Sequence, residues 1–299
     1  PRSRATMTLK QFISVSRPYS WPASLAPIAV AITLAWLQGG SNWLIAVLCL
    51  VVGLSAQSFS NCCNDYYDFK RGADGGERVG FSRPLASGQL RERDIIGVAL
   101  FWGLIAAVAG VTLCLLTNPW LLLLGALIIL FAWMYTGGPC PLAYLGLGDV
   151  AVMTFYGWVA VMTTYYLLTG AITTQSFLVA TAMGAVAVNI LVVNNYRDYE
   201  EDRKNDKRTS IVRLGQEFAP KFYLANILLA WLLSIVAFKG NIWGIVLLLP
   251  YLLYALSVYR QMIHVTGSQL NAVLRRTSMG VVLLAVVHIA AYLIDGLLL

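Results

Sequence analysis

The sequence predicts an all-α, polytopic membrane protein with nine transmembrane helices. Hydrophobic residues fill 59% of 299 positions and charged residues only 12%, which argues against a soluble domain. Several runs of about 18 or more residues carry no charge, the length an α-helix needs to cross the hydrocarbon core. These runs are rich in Leu, Ala and Val and lack the alternation of barrel strands. A backbone in lipid must satisfy its own hydrogen bonds, so helices are required.

In chain order, the first helix spans 20–39, behind the Arg17-Pro18 pair, and the second spans 42–63 and leads into Asn64-Asp65-Tyr66-Tyr67-Asp68. The third to fifth cover 94–116, 119–136 and 149–169. The sixth, 174–196, runs into Asn194-Asn195-Tyr196-Arg197-Asp198-Tyr199-Glu200-Glu201-Asp202. The last three cover 218–238, 242–259 and 277–298. Residues 1–17 form an N-terminal cytoplasmic segment, and 1–299 reads as a single domain. The first apolar run is too long, and too poorly followed by a cleavage site, for a signal peptide.

Charge sets the orientation. With nine alternating spans, 20 of the 21 Lys and Arg fall on the side of the N-terminus, and only Lys239 falls on the other. Basic loops stay in the cytoplasm, so the N-terminus is expected there and the C-terminus opposite. The same division puts 13 of 14 acidic residues on the cytoplasmic face, Asp295 being the exception. The net charge of +7 is therefore local to one face and attracts anionic lipid. Nucleic acid is not implied as a partner. Cys49, Cys62, Cys63, Cys114 and Cys140 show no disulfide or metal spacing, and His264 and His288 are isolated and take no role.

The chemistry lies in the two acidic blocks. Asn64-Asp65-Tyr66-Tyr67-Asp68 and Asn194-Asn195-Tyr196-Arg197-Asp198 match at Asn, Tyr and Asp, each leading from an even-numbered helix into a polar loop, as an internal duplication would. Residues Asn61, Asn64, Asp65 and Asp68 are spaced by three or four, and so are Asp198 and Asp202, so each set shares a helical face. One acidic loop alone reads as solvated surface. Two matched clusters of carboxylate and amide oxygens, crowded at membrane helix ends, call for a cation, and hard oxygen ligands suit Mg²⁺ or Mn²⁺. A metal-bound diphosphate would need further cations, available from Lys70, Arg71, Arg78 and Arg83 in the first loop and Arg197, Lys204, Lys207, Arg208 and Arg213 in the second.

The motif Asn64-Asp65-x-x-Asp68 with Gly72 and Asp74 is followed by Arg83-Pro84-Leu85-Ala86-Ser87-Gly88. Further on, Asp198-x-x-x-Asp202 runs to Lys207-x-Thr209-x-x-Val212-Arg213-Leu214-Gly215. Over nearly the whole chain this pattern resembles the UbiA superfamily of intramembrane prenyltransferases. Tyr135-Thr136-Gly137-Gly138-Pro139, continuing to Gly146-Leu147-Gly148-Asp149, resembles the 1,4-dihydroxy-2-naphthoate polyprenyltransferases of menaquinone synthesis, as does Asn194-Asn195-x-Arg197-Asp198. The resemblance implies helices around a central cavity, open sideways to lipid and capped by the two acidic motifs. It implies an isoprenyl diphosphate and an aromatic acid as substrates. Asn64, Asp65, Asp68, Asp74, Asp198 and Asp202 would hold Mg²⁺-diphosphate, with Asp68, Asp198, Asp202 and Tyr135 in the catalytic set. Lys70, Arg78, Arg83, Arg197 and Lys207 are the candidate diphosphate cations, and Arg17 the anchor for the acceptor carboxylate. The chain departs from the pattern twice. Gly72 stands where members commonly have Asp, and 137–149 carries no basic residue where many have Lys or Arg.

Tyr66, Tyr67, Tyr135, Phe155, Tyr156 and Trp158 are candidates to line the cavity and face an allylic cation, although Tyr and Trp also gather at bilayer interfaces. A secondary transporter is the rival from another class, since internal repeats are a transporter feature. The acids here lie at helix ends rather than at mid-depth, which argues against it. Acceptor identity stays open among naphthoate, homogentisate and 4-hydroxybenzoate prenyltransferases, chlorophyll synthase and terpene cyclases, because Arg83-Pro84-Leu85-x-Ser87-Gly88 occurs more widely than the naphthoate branch.

Overall fold

The computed structural model describes residues 7–72, 80, 84–85 and 87–298, and these contain helices and no strand. The helices are α1 (Leu9–Ser16), α2 (Trp21–Leu37), α3 (Trp43–Lys70), α4 (Glu92–Leu116), α5 (Leu121–Met134) and α6 (Gly148–Val152), then a π-helical run (Met153–Thr163) leading into α7 (Thr164–Thr169). They continue with α8 (Thr174–Arg197), α9 (Tyr199–Lys204), α10 (Ser210–Leu214), α11 (Phe218–Ala237), α12 (Ile242–His264) and α13 (Leu270–Leu298). Among the described residues eight helical stretches are long and apolar enough to cross a membrane, with α6 to α7 counted as one, Gly148–Thr169. α5 is a ninth apolar helix, shorter at 14 residues. The chain is therefore an integral, multi-pass membrane protein.

The main departure from the expected boundaries is at α3, which continues to Lys70 instead of ending at 63. No Gly or Pro interrupts 64–70, and the polar residues there turn Asp65 and Asp68 into the bundle. At ~1.5 Å per residue the 28-residue helix is roughly 42 Å long, longer than the ~30 Å hydrocarbon core. Its last turns thus carry the first motif beyond the lipid. It stops where Gly72 takes φ 72°, the left-handed conformation that glycine adopts without strain after a helix end.

α12 and α13 likewise extend past the expected 259 and 277, to His264 and back to Leu270, because hydropathy marks only the lipid-embedded part of a longer helix. α1 was not expected at all. A capping box sets it, with Thr8 Oγ1 accepting from Gln11 N at 3.3 Å and Gln11 Oε1 accepting from Thr8 N at 2.9 Å. Arg17, at φ 52°, then turns the chain into α2.

α8 is the central helix. Of its most apolar window 72% is buried, against 44% or less for every other span. Small residues let it take this place. A Cβ added at Gly184 would lie 3.1 Å from Gly157 Cα and 2.6 Å from Met153 Sδ, so α8 and the π-helical run touch at the backbone. Two interior asparagines are paired: Asn189 Nδ2 donates to Tyr223 O at 3.0 Å and Asn226 Nδ2 to Asn189 Oδ1 at 2.9 Å. His288 bridges Ser234 and Tyr292 at 2.9 and 3.1 Å, a packed interior histidine.

Candidate active site

A cavity of about 370 Å³ lies among α2, α3, α4, α5, the π-helical run and α8, within the ~300–1,000 Å³ usual for ligand sites. Ile28, Val52, Leu113, Ile128, Phe131 and Phe155 line its apolar body, and Arg17, Gln57, Asn61, Asn64, Tyr135, Asn194 and Arg197 its polar end. Tyr156 also lines it, its hydroxyl donating to Gln57 Oε1. Of the candidate aromatics, Tyr66, Tyr67 and Trp158 do not line it. Trp158 Nε1 donates instead to Thr181 Oγ1 at 3.0 Å.

The carboxylates lie just beyond that polar end rather than in the cavity wall. Asn61, Asp65 and Asp68 share the inner face of α3 and are 4%, 1% and 3% exposed, as their spacing expects. Asn61 Nδ2 donates to Ser16 O at 3.1 Å and Ser20 Oγ at 2.9 Å, tying α3 to the N-terminal turn that carries Arg17. Arg17 Nη2 meets Asp65 Oδ1 at 3.4 Å. Asn64 Oδ1 accepts from Thr136 Oγ1 at 2.7 Å, and Asp68 Oδ1 from Tyr144 OH at 2.9 Å.

In the second motif α8 gives way to α9 at Asp198, yet Asp202 N donates to Asp198 O at 2.8 Å, so the helical turn that joins the two acids is kept. Arg197 clamps Asp198 through two bonds of 2.7 Å, Nε to Oδ1 and Nη2 to Oδ2. Its Nη2 also reaches Asn194 Oδ1 at 2.6 Å and its Nη1 Asn271 Oδ1 at 2.8 Å. Lys207 Nζ stands 3.3 Å from Asp202 Oδ1. Burial pushes the Asp202 carboxyl up to about 6, against the pull of Lys207 and with Asp198 and Asp68 adding to the rise. Burial and Asp68 both push the Tyr144 phenol up, so it remains a donor.

The structure thus brings Asn64, Asp65, Asp68, Asp198, Asp202, Tyr135, Arg17, Arg197 and Lys207 to one end of the bundle. Lys70 turns outward, with Nζ 2.7 Å from Glu92 Oε2 and both side chains more than 40% exposed. Asp74, Arg78 and Arg83 lie outside the described residues. Among the described residues no three Asp, Glu, His or Cys side chains converge as a ready metal site. The donor set still suits a hard cation. Four buried carboxylates lie in one layer, and Asp202 Oδ2 is buried with no hydrogen-bond partner among the described residues, an oxygen left over for a ligand. Sequence spacing did not single out Tyr144, Thr136 or Asn271, which reach the motifs from 72 or more positions away.

Residues 24–293 match the UbiA prenyltransferase family. The chain is 35% identical over 289 residues to the 1,4-dihydroxy-2-naphthoate octaprenyltransferase of Mycobacterium leprae, covering 96% of this chain and 97% of that one. It is 32% identical over 277 residues to the enzyme of the same name from Escherichia coli, covering 89% and 90%. Among solved structures, an apo UbiA homolog from Aeropyrum pernix superposes with TM-score 0.70 at 15% identity, covering 97% of this chain and 99% of that one. A UbiA homolog from Archaeoglobus fulgidus bound to DMAPP and Mg²⁺ superposes with TM-score 0.65 at 18% identity, covering 95% and 99%. With a family match over most of its length, and relatives above 30% identity that it covers almost end to end, the chain belongs to the UbiA prenyltransferase family.

Proposed function

We propose that this protein transfers a polyprenyl group from an allylic diphosphate to 1,4-dihydroxy-2-naphthoate with loss of CO₂, giving demethylmenaquinol. The observation that carries the reading is the layer of paired acids and cations set directly against the polar end of an apolar cavity. The names of the relatives from several bacteria supply the acceptor.

Asn64, Asp65, Asp68, Asp198 and Asp202, with Asp74, would hold Mg²⁺, or Mn²⁺ in its place, which supplies charge neutralisation for the diphosphate when bound. The allylic C–O bond breaks with its electron pair leaving on diphosphate, where Lys207 and Arg197 add positive charge. Arg78 and Arg83 are assigned the same role from the sequence alone. Tyr135, Phe155 and Tyr156 wall the polar end and the body of the cavity, keep water from the allylic cation and present ring faces to it. Arg17 lines the same cavity and anchors the acceptor carboxylate. A ring carbon of the acceptor forms the new C–C bond, and CO₂ departs leaving its bonding pair in the ring. The basic face, and with it the site, lies in the cytoplasm.

The test is product formation. Purified protein with Mg²⁺, a set of allylic diphosphates and competing acceptors should release one CO₂ per prenyl group from 1,4-dihydroxy-2-naphthoate and hardly use 4-hydroxybenzoate. Arg17→Ala should raise the acceptor KM far more than the diphosphate KM, and a chelator should stop turnover. Faster use of 4-hydroxybenzoate, or a cyclised terpene made without acceptor, would overturn the acceptor assignment.

A further inference from the structure

Tyr144, in the loop between α5 and α6, contacts Asp68 of the first motif and Lys207 beyond the second, and has no role in the reaction as described above. Its hydroxyl donates to Asp68 Oδ1 at 2.9 Å. Its ring takes two cations, the Arg71 guanidinium 4.6 Å from the centroid and Lys207 Nζ at 5.6 Å, both inside the ~6 Å reach of a cation–π contact. Its carbonyl accepts from Arg208 N at 3.1 Å, fixing the loop to the segment that follows the second motif. One side chain thereby joins the end of α3 to the stretch carrying Lys207.

Arg71 is the cation that this arrangement serves. Its Nη1 donates to Thr136 O and its Nη2 to Gly138 O at 3.4 Å, and its guanidinium also lies 5.8 Å from the Tyr67 ring. Among the described residues no carboxylate lies within ion-pair distance of it. Carbonyls and aromatic faces hold a guanidinium in place without cancelling its charge. The neighbouring Lys70, one position earlier on the helix, spends its charge on Glu92. Two cations brought to one ring repel each other, and a polyanion between or beside them removes that cost.

We propose that Arg71 is a diphosphate-binding residue and that Tyr144 is the positioning residue that sets Arg71, Lys207 and Asp68 around the leaving group. The inference rests on the prenyl-transfer reading of this site and adds two residues to it. The loop without a basic residue of its own is in this way supplied with one from the end of α3.

The test uses the full chain in detergent and inorganic pyrophosphate with Mg²⁺ as the probe, followed by steady-state kinetics. Arg71→Gln should weaken pyrophosphate binding and raise the KM for the prenyl diphosphate by about ten- to a hundredfold, the worth of a charged hydrogen bond, with the acceptor KM unchanged. Tyr144→Ala should do the same, and combining it with Arg71→Gln should add little. Tyr144→Phe keeps the ring and is the variant that must fold. It should hold the prenyl diphosphate KM near wild type while raising the Mg²⁺ concentration needed for half-maximal rate. Wild-type binding of pyrophosphate with no loss in Arg71→Gln would overturn this inference alone, as would a Tyr144→Phe indistinguishable from wild type in its Mg²⁺ requirement. Failure of the wild-type chain to bind pyrophosphate would overturn the reading beneath it.

Discussion

Arg17, Arg197 and Lys207 each stand against one motif carboxylate, and the three contacts differ in strength. Arg197 makes two 2.7 Å bonds to Asp198 from a side chain 2% exposed, and breaking such a buried pair by removing one partner costs about 3–5 kcal/mol. Arg17 meets Asp65 through one contact of 3.4 Å, a pairing that a metal or a substrate carboxylate displaces at small cost. Arg197 is therefore built to stay and Arg17 to move. Asp202 adds a pH dependence. Its carboxyl, raised to about 6 by burial, is protonated below that value, and a cation binds only the ionised form. Mg²⁺ affinity of the protein without substrate should accordingly fall as pH drops from 7 through 6 to 5, because a proton must leave before the ligand oxygen is available. Titration of Mn²⁺ by electron paramagnetic resonance across that range checks it, and Asp202→Asn should bind weakly with a flatter profile. Equal affinity at pH 5 and 7 in the wild-type protein would mean that Asp202 is not among the ligands.

At the scale of elements, α8 combines two demands, a central buried position and a polar end that carries Asn194, Arg197 and Asp198. Gly157 and Gly184 meet the first by letting backbones touch. A Leu at 184 would drive its Cβ to within 3.1 Å of Gly157 Cα, and that atom is backbone and cannot swing aside. Gly184→Leu should lower the thermal midpoint by several degrees and loosen the π-helical run that bears Phe155 and Tyr156, whereas Gly97→Leu, in open space on the exposed side of α4, should leave it near wild type. Thermal denaturation of the two variants in one detergent checks the contrast. The elements were legible to different depths. Uncharged runs marked every span, because lipid admits no other backbone solution. The ends of α3, α12 and α13 were not legible, because a helix that leaves the hydrocarbon region keeps its hydrogen bonds while its hydropathy vanishes. Spacing alone placed the described acids of each motif on one helix face, where they are buried. Spacing carries no information about Tyr144, which reaches Asp68 across 76 positions, nor about which of the adjacent Lys70 and Arg71 turns inward, since a helix sends neighbours in different directions.

On the scale of the whole molecule, the charge asymmetry and the site belong to the same face. The two acidic motifs, the cations paired with them and the loop 135–147 all meet at one end of the bundle, and the basic-residue rule predicts that this end faces the cytoplasm. Lys239 stands alone among the described basic residues at the opposite end, with φ 51° in the turn between α11 and α12. The cysteines provide a direct reading of this arrangement. Cys49, Cys62, Cys63 and Cys114 are buried and Cys140 is exposed, in the loop that also carries Tyr144. A buried thiol is shielded from a polar reagent and an exposed one is open to it. A membrane-impermeant maleimide should therefore leave the wild-type protein unlabelled in intact cells and modify one thiol in inverted membrane vesicles, while Cys140→Ser should be silent in both. A Lys239→Cys change in that Cys140→Ser background should reverse the pattern, with labelling of intact cells and none in sealed inverted vesicles. Prebinding pyrophosphate and Mg²⁺ should slow modification of Cys140, since its loop is tied to Asp68 through Tyr144 and to Asn64 through Thr136. Labelling of Cys140 from outside intact cells would reverse the orientation and place the acid layer, and the delivery of both substrates, on the far side of the membrane.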